Sequence, residues 1–236
     1  MSSVHEILYG EIFRYLSFYS KHTIRRLSNK CYQLKIIDLC TIEYKYIKKL
    51  DDKILSYYPY VIKLNSNYNN KITNIDNMTK LKILLACGTS GIDNYASRNL
   101  NLEFLDASYN KKITNINHMR NLKVLFACGN CGIDNVGLSS CNLDVLDADD
   151  NRNITDVNHM TNLEKLDASY NCGIDDNGIK FINLKELNAA NNTKITNVSH
   201  MSKLKILFAE KFCGINNNKI KQINLKFLDV IGNKNI

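Results

Sequence analysis

Leu102–Asn110 reads LEFLDASYN, and Leu163–Asn171 reads LEKLDASYN. Both stretches open units that begin with an aliphatic residue and recur along the chain in a strict 20/21 alternation. The units begin at Val61, Leu81, Leu102, Leu122, Leu143, Leu163, Leu184, Leu204 and Leu225. Nine units in one register, without an insertion or deletion, predict a solenoid in which each unit forms one turn and stacks on the next.

Most units open with the pattern L-x-x-L-x-A, which places apolar residues at positions 1 and 4 and Ala or Ser at position 6. Positions 3 and 5 flank the second leucine in an extended segment, so their side chains point away from the core. The odd-numbered units, which are the shorter ones, continue with I-T-x-I/V-x-x-M, and the longer even-numbered units continue with C/S-G-I-D/N. The pattern predicts one short strand per unit.

This pattern resembles the leucine-rich-repeat family over residues 61–236. The resemblance implies an α+β repeat solenoid with a parallel β-sheet on its concave face, and a protein that recognises a partner rather than an enzyme. Two departures are the small residue at position 6 and a next core residue at position 12 instead of 11. A return path of about ten residues is short for a helix of three turns, which predicts extended or 3₁₀ segments on the convex side.

Asparagine recurs at position 9, where each strand is expected to end. Its side chain can satisfy backbone groups at a turn, so we interpret this column as structural. The column consists of Asn69, Asn110, Asn130, Asn151, Asn171 and Asn192.

Positions 3, 5, 7 and 8 are expected to face the concave side, where units two to five carry apolar side chains at neighbouring positions. An apolar patch with aromatic residues and a polar rim is typical of a protein interface. The alternatives are that the chain's own N-terminal segment covers the patch or that the chain associates with itself. The predicted partner-binding surface consists of Ile83, Leu85, Phe104, Asp106, Tyr109, Val124, Phe126, Val145, Asp147 and Tyr170.

Two ladders of side chains could suggest metal or redox sites. They are His118, His159 and His200, and Cys131, Cys172 and Cys213. Members of each ladder are two units apart, or roughly 9–10 Å at the usual strand spacing, which is too far for a shared metal ion or a disulfide. The densest carboxylate cluster, Asp147, Asp149 and Asp150, is expected to be a solvated patch. With no catalytic motif, we predict no cofactor, no metal and no enzymatic activity.

The net charge of +8 invites a nucleic-acid partner, but the charge is spread along the chain without a basic run. Residues 1–60 hold ten Lys and Arg against six Asp and Glu. We therefore expect a protein partner instead. No run of 18 apolar residues occurs, which predicts no membrane span. Eight cysteines without a signal peptide predict a reducing, cytoplasmic location.

Residues 1–60 fall outside the 20/21 period. Apolar residues at helical spacing predict a helix over residues 4–18 and a second helix after Ser20, which together would form a helical N-terminal cap. Residues 34–60 are expected to hold a degenerate first repeat, with Ile37 at position 4 and Leu39 at position 6, followed by a helical connection.

Residues 1–33 also resemble an F-box, although the usual Leu-Pro and a tryptophan are missing. The residues that carry the resemblance are Glu6-Ile7-Leu8, Ile12, Tyr15-Leu16, Leu27-Ser28 and Cys31. The resemblance implies docking onto the adaptor of an SCF-type ubiquitin ligase through Ile7, Leu8, Ile12 and Leu16. The alternative is a cap that only shields the open end of the solenoid.

The pairing of an F-box with leucine-rich repeats, in a chain rich in Asn, Ile, Lys and Tyr, is similar to repeat proteins of giant DNA viruses of amoebae. This resemblance implies a viral protein acting in the host cytoplasm, where it would deliver a bound protein for ubiquitination. A structural or scaffold repeat protein with no link to ubiquitin is the alternative.

Overall fold

A computed structural model describes residues 37–40, 47–56 and 58–236. Ten strands form one parallel sheet whose order follows the chain. They are β1 (Ile37–Leu39), β2 (Val61–Asn65), β3 (Ile83–Leu85), β4 (Phe104–Asp106), β5 (Val124–Phe126), β6 (Val145–Asp147), β7 (Lys165–Asp167), β8 (Glu186–Asn188), β9 (Ile206–Phe208) and β10 (Phe227–Asp229). The expected helical cap of residues 1–33, with Ile7, Leu8, Ile12 and Leu16, lies outside the described residues.

Each strand pairs with the next at equivalent positions of the repeat. Leu105 lies opposite Leu125, and Leu125 lies opposite Leu146. This register confirms the predicted solenoid of leucine-rich-repeat type, with one strand per unit. At the first strand the predicted register is wrong, because Leu39 lies opposite Leu64 and therefore occupies position 4 of its turn rather than position 6.

The core is a set of columns that run along the solenoid. The leucines at position 4 of β2 to β9 are buried, and so are the isoleucines at position 12 from Ile72 to Ile215. The small residues at position 6 are completely buried, as Ala107 and Ala127 illustrate with 0 % exposure. The side chains of the position-6 column therefore point into the core, as the repeat pattern predicts. Because they are small, they leave little room between the strand and the return segment of each turn.

Three helices of four residues each lie wholly within the described return segments, namely α1 (Asp52–Leu55), α2 (Asn94–Ser97) and α3 (Asn217–Ile220). The remaining return paths of the described chain are turns and extended segments, without the 3₁₀ helices that unit length suggested. The turns are closed by hydrogen bonds between residues three apart, such as the bond from Met119 N to Ile116 O at 2.9 Å. No helix in the described part of the chain is long and apolar enough to cross a membrane.

An asparagine ladder joins the turns in the odd-numbered units. The Asn110 amide donates to the carbonyl oxygens of Ala86 at 2.9 Å and Ile92 at 3.1 Å, and its own oxygen accepts from Lys112 N at 2.9 Å. Asn151, Asn192 and Asn233 likewise donate to carbonyl groups of the preceding unit. These side chains satisfy backbone groups that the core would otherwise leave without partners.

The structural role predicted for Asn130 and Asn171 is wrong, because both side chains are exposed. In the even-numbered units the buried residue of this turn is the tenth instead of the ninth. The four residues at this position are Ser90, Cys131, Cys172 and Cys213. A thiol cannot replace the two N–H donors of an amide, and the backbone supplies the link to the preceding unit instead.

The backbone link in the even-numbered units is made by a glycine. Gly132 N donates to Asn110 O at 3.0 Å. A Cβ atom on Gly132 would lie 2.7 Å from Lys111 O, closer than side-chain carbons approach carbonyl oxygens. The recurrence of the C/S-G-I-D/N motif along this chain therefore reflects a close approach of two backbones.

A second polar ladder links units two, four and six to the odd-numbered units that follow them. Asn94 Oδ1 accepts from Thr114 N at 2.8 Å and from Asn115 N at 3.1 Å, while Asn94 Nδ2 donates to Thr114 Oγ1 at 2.7 Å. Asp176 accepts three bonds from the equivalent groups of Thr196 and Asn197. The Thr of the I-T motif and the residue that follows it thus form one side of this contact, which recurs once per pair of units.

Asn110→Ala is expected to lower the free energy of unfolding by about 1–3 kcal/mol, because it leaves buried carbonyl and amide groups without partners. Asn130→Ala is the matched control, since Asn130 has the same position in the next unit but is exposed. Equilibrium unfolding in urea measures both values. Equal losses for the two variants would show that the ladder does not stabilise the fold.

Candidate functional site

The sheet face is formed by positions 3 and 5 of β3 to β10. In β4 the side chain of Leu105 at position 4 is fully buried, whereas Phe104 and Asp106 on either side of it are half-buried. The same burial pattern recurs in most of the other strands. The repeat therefore fixes the backbone of the sheet face and leaves its side-chain chemistry open.

An N-terminal apolar patch occupies the face of β3 to β6. Strand register places Phe104 between Ile83 and Val124, and it places Val145 beside Val124. The rings of Phe104 and Phe126 meet edge to face, with centroids 5.1 Å apart and an interplanar angle of 72°. The patch consists of Ile83, Leu85, Phe104, Val124, Phe126 and Val145. The structure thus brings together all six apolar residues that the sequence analysis predicted to be neighbours.

An open depression of about 600 Å³ lies at one edge of this patch. Ile83, Phe104 and Val124 form its apolar side, and Arg120 and Lys123 are among the residues that line the rest. The charges along this edge are largely paired. Lys82 Nζ lies 3.1 Å from Glu103, and Lys123 Nζ lies 3.6 Å from Asp144. The depression therefore offers an apolar wall with little net charge around it.

Tyr109 and Tyr170, which we predicted as part of the surface, lie beyond the strand ends at position 8. Both are about half exposed and have positive φ angles of 59° and 54°. The ring of Tyr109 covers Gly129 of the next unit, where a Cβ atom would lie 2.2 Å from Tyr109 Cε1. Tyr170 follows β7, three strands after β4, so the structure does not bring the two tyrosines together.

The positive φ of position 8 is a property of the repeat that the sequence analysis missed. All nine residues of this column adopt it, namely Tyr68, Gly88, Tyr109, Gly129, Asp150, Tyr170, Asn191, Lys211 and Gly232. The glycines at three of the nine positions were the available signal, because glycine favours this conformation. Non-glycine residues here carry a modest conformational cost, which the closely packed turns impose on them.

An acidic centre follows the N-terminal apolar patch. It consists of Asp147, Asp149, Asp150 and Asp167. Asp147 lies directly opposite Asp167 in the paired strands β6 and β7. Ser169 Oγ lies 3.0 Å from an oxygen of Asp149 and 2.5 Å from one of Asp167, so its single proton can be donated to either carboxylate. Within the described residues none of the four carboxylates forms a salt bridge, whereas Lys165 and Glu186 of the same region pair at 2.9 Å.

The patch formed by Asp147, Asp149 and Asp150 is less solvated than expected, because all three side chains are half-buried. Burial raises the pKa of Asp147, and the carboxylates of Asp167 and Asp106 raise it further. Burial also raises the pKa of Asp149, with a contribution from the neighbouring aspartates. The fold therefore holds two carboxylates in surroundings that disfavour their charge.

A C-terminal apolar patch occupies the face of β9 and β10, and it was not among the predicted site residues. It consists of Ile206, Phe208 and Phe227. The rings of Phe208 and Phe227 lie with centroids 5.2 Å apart. These residues occupy the same columns as Phe104 and Phe126, so column position was the signal that could have found them.

The histidine ladder has a structural role. His118 Nε2 forms a hydrogen bond with Ser97 O at 2.9 Å, and His200 Nε2 forms one with Ile179 O at 3.1 Å. Each histidine thus binds a backbone carbonyl of the preceding unit. No group of three His, Cys, Asp or Glu side chains in the described ranges is arranged to hold a metal ion.

The seven described cysteines are free thiols. Burial raises the pKa of Cys131 to about 11 and that of Cys172 to about 12, so both are protonated near neutral pH. A protonated thiol is a poor nucleophile and a poor metal ligand. The cysteine ladder is therefore a column of small core side chains.

No protein-family model and no curated protein sequence matches the chain. The chain is similar in structure to an internalin (inlF) from Listeria monocytogenes strain 4b F2365, with a TM-score of 0.47 and 16% identity over 95% of this chain and 88% of that one. It is also similar to the functional domain of InlJ from Listeria monocytogenes, described as including a cysteine ladder. There the TM-score is 0.31 and the identity 18% over 87% of this chain and 64% of that one.

Asp147→Asn is expected to raise the thermal unfolding midpoint at neutral pH. Because the folded-state pKa of Asp147 is raised, ionisation of this group opposes folding at pH values above that pKa, and the opposition disappears as the pH falls below the unfolded-state value. The gain should therefore shrink on acidification. Asp134→Asn, at an exposed position of the return path, is the control, and a gain that persists at acidic pH would contradict the prediction.

Proposed function

We propose that this protein is a recognition module that binds a protein partner on its sheet face, with the N-terminal apolar patch as the anchor. The observation that carries the proposal is the edge-to-face pair of Phe104 and Phe126, held within a set of apolar side chains on adjacent strands. This pair is not part of the core, because the core columns lie on the opposite side of the strands.

The chemistry of the surroundings favours a protein over other ligands. Aromatic residues bury about 150–250 Å² each when they are fully covered, and they dominate the energetics of interfaces. Asp106 and Asp147 border the patch in the position-5 column. Carboxylates at the rim suit a polar interface edge and repel the phosphate groups of nucleic acids.

The double variant Phe104→Ala/Phe126→Ala is expected to weaken partner binding at least about tenfold, because it removes both aromatic anchors. The measurement is quantitative mass spectrometry of proteins retained by immobilised full-length chain, followed by affinity measurement with the recovered partner. Phe181→Ala is the matched control, since Phe181 is 76% exposed and lies on a return segment away from the sheet face.

The proposal fails if the double variant retains the same proteins with the same affinity as the unaltered chain while its urea unfolding midpoint is also unchanged. A loss of binding shared by Phe181→Ala would assign the recognition surface to the return segments instead.

We also propose that the N-terminal segment links the bound protein to the adaptor of an SCF-type ubiquitin ligase in the cytoplasm. The support is the sequence of residues 6–16, where Ile7, Leu8, Ile12 and Leu16 match the apolar positions of an F-box. In this arrangement the repeats select a protein and the N-terminal segment delivers it for ubiquitination. A scaffold role without a ubiquitin link is the competing function.

Leu8→Asp in the full-length chain is expected to abolish co-purification of the ligase adaptor, because a buried charge at an apolar docking position is costly. The sheet-face partner should still bind this variant. Conversely, Phe104→Ala/Phe126→Ala should retain the adaptor and lose the partner. Absence of the adaptor from the purified unaltered chain would favour the scaffold role.

A further inference from the structure

The sheet face has three zones along the solenoid. The N-terminal apolar patch lies on β3 to β6, the acidic centre lies on β6, β7 and the turn after β6, and the C-terminal apolar patch lies on β9 and β10. We propose that the partner presents one continuous segment with an apolar anchor at each end and Lys or Arg residues between the anchors. This inference rests on the proposed function and specifies the chemistry of the ligand for the same face.

The zones set the length of the segment. The midpoint of Phe104 and Phe126 is five strand spacings from the midpoint of Phe208 and Phe227. At about 4.8 Å per strand this separation is about 24 Å. A helix covers that distance with about 16 residues, and an extended strand covers it with about 7 residues. A segment of either kind runs across the strands, along the axis of the solenoid.

The charge of the acidic centre determines the sign of the charge that the segment should carry between its anchors. The four carboxylates of the acidic centre have no salt-bridge partner within the described residues, and Lys165 beside them is already paired with Glu186. The zone therefore groups four acidic side chains, and its formal charge is −4. The whole chain carries +8, so the acidic centre opposes the average charge of the protein. Lys or Arg side chains placed here would neutralise carboxylates that have no other cation.

The same charge disfavours a second copy of the chain as the occupant. A symmetric dimer that used the whole sheet face would have its two-fold axis at the middle of the face, and it would place one acidic centre against the other. Like charges brought together at an interface without compensating cations weaken association. The aromatic pairs at the two ends would also have to meet while the acidic centres repel each other. A segment with basic residues between two apolar anchors is complementary to all three zones.

The test begins with selection of binders for the full-length chain from a random library of 16-residue peptides displayed on phage. We expect selected peptides to carry Lys or Arg between two aromatic or aliphatic positions. Fluorescence anisotropy then measures their affinities for two variants. Asp147→Asn/Asp149→Asn/Asp167→Asn and Phe208→Ala/Phe227→Ala are each expected to weaken binding at least tenfold, and the affinity for the unaltered chain should fall as salt rises.

A matched control variant makes the same change in net charge away from the sheet face. Asp134→Asn/Asp156→Asn/Asp175→Asn lies on the return segments of three units, and each asparagine can still accept the backbone hydrogen bond of the aspartate it replaces. This control should leave the peptide affinities within twofold of those of the unaltered chain. An equal loss in the control and in the acidic-centre variant would assign the effect to overall charge and overturn the inference.

Four further outcomes overturn the inference. They are selected peptides without basic residues, affinities that do not change in the acidic-centre variant, a selection that yields no binder, and a dimer in sedimentation velocity that Phe104→Ala/Phe126→Ala dissociates. Failure of the proposed function is distinguishable, because in that case natural partners and selected peptides alike would bind Phe104→Ala/Phe126→Ala with undiminished affinity.

Discussion

The structure depends on the hydrogen bonds that each turn makes to the next turn at a fixed spacing. Parallel strands lie about 4.8 Å apart, so every residue is held close to its equivalent in the neighbouring unit. Polar groups along the axis must find partners in that neighbour, and the amide of Asn110 with its bonds to Ala86 and Ile92 shows how they do so. Because equivalent residues align, both the core and the sheet face are sets of columns.

The sequence was sufficient to predict the columns, because the period and the L-x-x-L-x-A pattern determine which positions enter the core. It was not sufficient to predict side-chain direction in the turns. Asn110 and Asn130 share a residue type and a position, but only Asn110 is buried. The difference arises where Gly132 approaches the backbone of the preceding unit. A close approach of two backbones produces no apolar period from which it could be predicted.

The arrangement of the predicted site residues was only partly predictable for the same reason. Strand pairing alone places Phe104 beside Val124, and this contact follows from the register. The contact between Phe208 and Phe227 follows from the same alignment of columns. It lies beyond the acidic centre, and the sequence did not lead us to predict a site there. Tyr109 was selected for its residue type, whereas its conformation is set by a turn that requires positive φ. Burial of aspartates next to one another depends on packing across strands, which residue order does not describe.

The repeat divides its positions into core columns, which stabilise the fold, and open columns, whose side chains lie on the sheet face. Positions 4, 6 and 12 hold the turns together, while positions 3 and 5 contribute side chains that the core does not need. The open columns can therefore carry charges that are unfavourable to the isolated fold. Burial and neighbouring carboxylates raise the pKa of Asp147 and Asp149, so their ionisation at neutral pH destabilises the folded chain. Because the core columns stabilise the solenoid, the fold tolerates these unfavourable groups on its sheet face, and the columns of the sheet face are free to differ in chemistry from unit to unit.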